Sequence, residues 1–270
     1  VRLAIKRLLR SAFKNVGNIW DSGALLTGVA PCGLVQLANG DVLLCGDTAN
    51  RIYKSTNNGA SFDAGVSLGT TIGLRGITQL SNGDVLACGN SAGKVYRSTN
   101  NGASWDAGVS VASGIHGVTQ LTNGHVLAVS AVTGRVYKST NNGVTWDSGV
   151  IIVASNVLTD VKQLKDGSII VLNSTSNRVY KSFDSGATWD SGTLVATGAT
   201  ITFAVQLQNN AVLACAFATS RVYRSLDNCA TWDSGTLVAT GAGLNGLTLL
   251  QNGNLLVSGF TTSRVYGSSS

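Results

Sequence analysis

RVYKSFDSGATWDSGT, residues 178–193, is one copy of a phrase that the chain repeats. RIYKSTNNGASFDAGV (51–66), KVYRSTNNGASWDAGV (94–109), RVYKSTNNGVTWDSGV (135–150) and RVYRSLDNCATWDSGT (221–236) are near copies, and RVYGSSS (264–270) is a truncated one. The tyrosines set the period: Tyr53, Tyr96, Tyr137, Tyr180, Tyr223 and Tyr266 follow one another at 43, 41, 43, 43 and 43 residues. A repeat of this length built from short strands points to propeller blades. No 3.6-residue apolar periodicity supports a helical repeat.

Each repeat divides into four strands. In the second, GITQL (76–80), DVLACGN (84–90), KVYRST (94–99) and SWDAGVS (104–110) succeed one another, with an Asn82-Gly83 turn after the first. The turn recurs as Asn39-Gly40, Asn123-Gly124, Asp166-Gly167, Asn209-Asn210 and Asn252-Gly253, residues that tolerate the positive φ of a two-residue hairpin. Five copies carry an aromatic nine residues after the tyrosine: Phe62, Trp105, Trp146, Trp189 and Trp232. Tyr266 lacks one, whereas NIWDSGAL (18–25) offers Trp20 with no preceding tyrosine strand. The expected fold is therefore all-β, a six-bladed β-propeller of four-stranded antiparallel blades over residues 18–270. Its N-terminal strand, residues 18–24, completes the last blade and removes an open edge.

Ser182-x-Asp184-x-Gly186-x-Thr188-Trp189 resembles the Asp-box, or BNR repeat, of sialidase-like propellers. Asp227 keeps the pattern with Cys229 in the glycine place, and Asn57, Asn100 and Asn141 replace the aspartate in the first three copies. The resemblance implies a structural turn on the face away from any active site. A short Asp or Asn side chain can accept bonds from its own turn, glycine permits the backbone angle, and the aromatic anchors the hairpin between sheets. The six aspartates that open the fourth strand, Asp63 among them, are expected to pair with basic residues of the third, such as Lys54, in weak surface ion pairs.

Sialoside hydrolysis in that family implies an arginine triad, a tyrosine nucleophile with its glutamate, and an aspartate acid/base. This chain has no glutamate, and its tyrosines all occupy the repeated strand. The column at the start of the first strand reads Cys32, Arg75, His116, Thr159, Thr202 and Asn245, and it is the least repeated one. Arg75, His116, Thr159, Asp160, Thr202 and Asn245 are the candidate ligand-binding residues at the channel mouth, with Asp47 nearby and Phe203 as the aromatic best placed to stack on a sugar. No catalytic residue, metal site or cofactor motif stands out, so the expectation is that the chain is not an enzyme.

The net charge of +6 comes largely from Arg2, Lys6, Arg7, Arg10 and Lys14. The remainder, fourteen basic residues against thirteen acidic, is almost neutral, which argues against a nucleic-acid-binding body. Residues 1–16 show an apolar stripe opposite those charges, the pattern of a short basic amphipathic helix. Such a helix is marginal alone and is expected to dock on a protein partner, on its own propeller or, less favoured, on a membrane surface. The five cysteines are an odd number with no CxxC spacing and are expected to be buried free thiols. The leading functional expectation is an interaction or structural scaffold within a larger assembly, extracellular, at a surface or virion-associated. The resemblance adds that propellers with this repeat, such as photosystem II assembly factors, bind proteins. A glycan-binding lectin and a sialidase-like hydrolase are the alternatives.

Overall fold

The computed structural model describes residues 20–69, 73–154 and 156–268. They form six antiparallel sheets of four strands. Blade 1 comprises Pro31–Gln36, Val42–Gly46, Arg51–Ser55 and Val66–Ser67. Blade 2 comprises Leu74–Gln79, Val85–Gly89, Lys94–Ser98 and Val109–Ser110, and blade 3 Ile115–Gln120, Val126–Ser130, Arg135–Ser139 and Val150–Ile151. Blade 4 comprises Leu158–Gln163, Ile169–Asn173, Arg178–Ser182 and Thr193–Leu194, and blade 5 Ile201–Gln206, Val212–Ala216, Arg221–Ser225 and Thr236–Leu237. Leu244–Leu249, Leu255–Gly259 and Arg264–Gly267 make three strands of blade 6, and Ala24–Leu25 supplies the fourth.

The ring thus closes with the two ends of the chain, as the truncated repeat predicts. Ala24 pairs with Val265, Leu25 with Arg264, and Trp20 bridges to Ser268. The core is not at the centre of the disc but between blades. Six buried apolar clusters each join two successive blades, and each holds one aromatic of the repeat at its border: Phe62, Trp105, Trp146, Trp189, Trp232 and Trp20. The Trp20 cluster includes Tyr266, so the two ends share one core.

The repeated phrase is read out as three local devices. In the first, Ser55 Oγ accepts the Gly59 N–H at 2.9 Å and donates to Asn57 Oδ1 at 2.8 Å, while Asn57 Oδ1 accepts the Ser61 N–H at 2.9 Å. Asp184 repeats this with Thr188, whose hydroxyl donates to the carboxylate at 2.5 Å. Where Asn stands, its amide donates instead, Asn57 Nδ2 to Ser61 Oγ at 2.8 Å. A hydroxyl both donates and accepts, which is why Asp and Asn serve equally.

In the second device each tyrosine ring lies against a glycine of positive φ. A Cβ added at Gly65, Gly108, Gly149, Gly192, Gly235 or Gly23 would stand 2.8–2.9 Å from a ring carbon of Tyr53, Tyr96, Tyr137, Tyr180, Tyr223 or Tyr266. The third corrects an expectation. Asp63 does not pair with the Lys54 ammonium; its Oδ1 accepts the backbone N–H of Lys54 at 2.8 Å and of Gly65 at 2.9 Å. Lys54 lies 3.8 Å from Asp41, and among the described residues only Arg224 meets the expected partner, Asp233, at 3.5 Å. This side-chain mimicry of a strand shortens the fourth strand to two residues, against the seven expected over 104–110. The leading basic residue of the third strand caps the same turn: Arg51 Nη1 donates to the carbonyls of Ala64 and Gly65 at 3.1 and 2.6 Å.

Candidate functional site

The first strand of every blade lines the channel, and in every blade its register against the second strand slips at the same place. The residues at the slip are Cys32, Arg75, His116, Thr159, Thr202 and Asn245. A bulge leaves its extra residue unpaired and re-aims its side chain. The residue that follows is Gly33, Gly76, Gly117 and Gly246 in four blades, but Asp160 and Phe203 in blades 4 and 5. An added Cβ would come within 2.3 Å of Arg75 O, 2.5 Å of His116 O, 2.8 Å of Asp160 Cα and 2.0 Å of Cys32 O at the four glycines. Glycine therefore lets four pairs of inner strands touch. The remaining pairs are stapled by side chains: Asp160 Oδ2 accepts the Ala204 N–H at 3.0 Å, Thr159 donates to Ile201 O at 3.2 Å and Thr202 to Leu244 O at 3.0 Å.

A cavity of about 250 Å³ opens at this level. Arg75, His116, Thr159, Thr202 and Asn245 line it together with Phe203, Phe217 and Phe260. Arg75 Nη2 lies 3.0 Å from Asp47 Oδ2, and its guanidinium stands 5.5 Å from the Phe260 ring centre, within cation–π range. Phe260 and Phe217 meet edge to face at 5.8 Å. Arg75 Nε is buried without a hydrogen-bond partner. Asn245 Nδ2 donates to Cys32 Sγ at 3.2 Å.

The His116 imidazole makes no hydrogen bond among the described residues. Burial, and secondly the Arg75 charge, push its pKa down to about 3, so the imidazole is neutral at physiological pH. Burial raises the Asp47 carboxyl above its ordinary value, and the Arg75 charge opposes it. Burial pushes the Cys32 thiol up to about 12, and a thiol so raised is no nucleophile. All five cysteines are free and buried. Among the described residues no group of three His, Cys or Asp side chains could hold a metal ion.

Five of the six candidate mouth residues therefore share one cavity. Asp160 does not line it. The bulge sends Thr159 to the mouth and turns the next side chain into the wall, where Asp160 is 1% exposed and pairs with Lys162 Nζ at 3.2 Å. Burial raises its pKa, and Lys162 opposes the rise. Phe203, expected as an exposed stacking surface, is only 6% exposed. The more accessible aromatics are Phe217 and Phe260, which sequence reasoning missed. They occupy the residue after the second strand, a column that also reads Asp47, Asn90, Ala131 and Ser174. Its variability from blade to blade was the signal. The helix expected over 1–16, with Arg2, Lys6, Arg7, Arg10 and Lys14, lies outside the described residues.

A larger depression of about 520 Å³ sits between blades 6 and 1 around Trp20, Asn58 and Asn252. Its one charged side chain among the described residues, Asp21, is already bonded to the N–H groups of Gly23 and Gly267. The mouth brings more uncommitted chemistry together.

No family model matches the chain, and no curated protein matches it in sequence. Solved structures share its fold. A virginiamycin B lyase from Staphylococcus aureus aligns over 93% of this chain and 86% of its own, with a TM-score of 0.71 and 15% identity. A gluconolactonase from Xanthomonas campestris aligns over 91% and 87%, at 0.72 and 10% identity. YCF48 bound to a D1 peptide aligns over 85% and 74%, at 0.60 and 16% identity. These identities establish the fold alone. They also correct one expectation, that the chain is not an enzyme. Two of the three proteins are enzymes by name, so the chain shares its fold with catalysts, and the lack of a familiar catalytic motif no longer argues against one.

Proposed function

We propose that this propeller binds a small ligand at the mouth of its channel. The observation that supports the reading is the contrast between columns. Where the repeat serves architecture its residues recur, whereas the bulged column and the loop column above it vary, and five residues of the first and three of the second line one cavity. Arg75, His116 and Asn245 give that cavity its polar groups, and Phe217 and Phe260 its apolar wall. A concave site with a few convergent polar groups is the common form of a small-molecule pocket. The solved lyase and gluconolactonase lend support to a ligand that is also chemically changed, and the same assay reads both outcomes.

The test is a fragment screen by ligand-observed NMR on the whole chain, followed over time for product signals. Fragments are expected to bind, with His116→Ala and Phe260→Ala each weakening binding while circular dichroism stays unchanged. Hits that ignore both substitutions would place binding elsewhere and end the proposal.

A second reading, a protein-binding scaffold, has its own observation. Phe183 and Leu226, 76% and 74% exposed, occupy one position of the repeated turn in adjacent blades, where the first three blades carry Thr56, Thr99 and Thr140. YCF48, with its bound peptide, supports partner binding by such a ring. Pull-down of a partner that is lost in the Phe183→Thr, Leu226→Thr double variant, and retained in Phe260→Ala, favours it.

A further inference from the structure

The charge balance of the mouth narrows the ligand class, an inference that rests on the mouth being a binding site. Among the described residues Arg75 is its one lining cation, and Asp47 pairs with it at 3.0 Å. His116 is neutral, and no other ionisable side chain among the described residues lines the cavity. An anion entering here meets a guanidinium whose charge is already spent and a carboxylate beside it. A cation meets the guanidinium. Apart from the unpartnered Arg75 Nε–H, neither would find a counter-charge that is not already paired, and its desolvation is costly.

Besides the Arg75 Nε–H, the uncommitted polar groups are neutral. The Thr159 and Thr202 hydroxyl protons are engaged by the carbonyls of Ile201 and Leu244. The Asn245 amide donates to Cys32 Sγ, which leaves its carbonyl oxygen without a partner among the described residues. A neutral imidazole carries one N–H and one acceptor nitrogen, and both are unbonded in His116. The cavity thus offers a donor and an acceptor at His116 and an acceptor at Asn245, facing phenylalanines. Its volume of about 250 Å³ is below that of drug-sized sites, roughly 300–1,000 Å³.

We infer that the mouth takes an uncharged aromatic ring bearing a carboxamide-type group. The ring packs on Phe217 and Phe260. The amide oxygen accepts from the His116 N–H. The selectivity against charge comes from Asp47, which holds Arg75 neutralised. Removing that carboxylate frees the guanidinium and should turn the site toward anions.

Four probes separate the classes in calorimetric and saturation-transfer titrations of the whole chain: benzamide, benzoate, benzylamine and methyl galactoside. Benzamide is expected to bind at least about tenfold more tightly than the other three, and to lose affinity in His116→Ala. In Asp47→Asn, whose fold is checked by circular dichroism, benzoate is expected to overtake benzamide. Benzoate or the galactoside binding best to the unaltered chain, with loss in Phe260→Ala, overturns the class and leaves the mouth as a site. An unchanged ranking in Asp47→Asn, or no binding of any probe, also overturns the class. Fragment hits insensitive to Phe260→Ala overturn the site itself.

Discussion

Cys229 stands where four other repeats place glycine, at φ 70° against 82–86° for Gly59, Gly102, Gly143 and Gly186. In blades 1, 2 and 3 a Cβ at the glycine would stand 2.6–3.2 Å from a methyl of Leu256, Leu43 or Leu86 in the preceding blade. The equivalent neighbour of Cys229 is Ile170, a member of the same cluster. At Gly186 the corresponding neighbour, Leu127, stands back at 3.7 Å, so the fit of a side chain here depends on the leucine's placement. Gly102→Cys is therefore expected to cost about 2 kcal/mol through left-handed strain and overpacking. Adding Leu43→Ile should recover at least about 0.5 kcal/mol, the size expected of coupled neighbours. Urea unfolding of the two single variants and the double variant measures the coupling, and strict additivity would refute it. The turns also differ in their response to acid. Hydrogen bonds from Thr188 and Thr231 lead in lowering the Asp184 and Asp227 carboxyls to about 2. A depressed folded pKa contributes stability that is present above the ordinary value near 3.8 and lost as pH falls through about 2. Turns built on Asn57, Asn100 and Asn141 do not titrate. Hydrogen exchange between pH 4 and 2 should therefore rise first at Gly186 and Cys229, and Asp184→Asn should abolish the rise at Gly186. Equal exchange in all five turns would contradict this.

Among the elements, the glutamine that ends five of the six first strands ties the blades together. Gln79 Oε1 accepts the Ala38 N–H at 2.8 Å from the preceding blade, and its Nε2 donates to Gly83 O at 3.1 Å in its own hairpin turn. Gln36, Gln120, Gln163 and Gln206 do the same with Gln251, Ser81, Thr122 and Lys165 at 2.6–2.7 Å. Blade 6 carries Leu249 instead, and the clamp is missing there. Leu249→Gln should supply it with the Gln208 N–H and stabilise the ring by about 0.5–1.5 kcal/mol, whereas Gln163→Leu should lose a similar amount. Chemical denaturation checks both, and a destabilised Leu249→Gln would show that the fifth and sixth blades are spaced differently. The five-fold glutamine was visible in the sequence, but its role was not, because its partner lies about forty residues away in the chain. The blade count and the positions of the turns were legible because they are local and periodic, although the hairpin loops are longer than the two residues expected: Leu37 N–H bonds Asp41 O, and Gly40, not Asn39, takes the positive φ. The short fourth strand was not, since W-D-x-G alternates as a strand does while Asp63 and its equivalents satisfy the neighbouring strand with a side chain. The mouth was half legible for a similar reason. A bulge shifts the alternation by one, so Thr159 reached the cavity and Asp160 did not.

At the scale of the whole molecule, the ring is held shut by bonds between residues at opposite ends of the chain. Asp21 Oδ1 accepts the Gly267 N–H, the Asp21 N–H donates to Gly267 O, both at 2.9 Å, and Arg264 Nη1 donates to the carbonyls of Ser22 and Gly23 at 2.9 and 2.8 Å. Each contact has a counterpart in the other blades: Asp63 makes the same bond to Lys54, nine residues away. The local interaction is the same, but its thermodynamic context differs. Opening the turn at Asp63 frees one hairpin whose ends stay covalently joined. Opening the seam frees both chain ends, exposes the clusters around Trp20 and Phe62, and releases closure entropy accumulated over a loop of more than two hundred residues. Asp21→Ala is therefore expected to lower the melting temperature more than Asp63→Ala, with a difference of about 1 kcal/mol or more. The loss should be regained when the chain is permuted, with the C-terminus joined to the N-terminus by a flexible linker and new ends placed in the turn at Asn82-Gly83. Permutation makes the seam local and leaves every other pairing as it was. Equal melting temperatures for the two alanine variants, or no rescue of Asp21→Ala by permutation, would show that the seam is no weaker than any other blade.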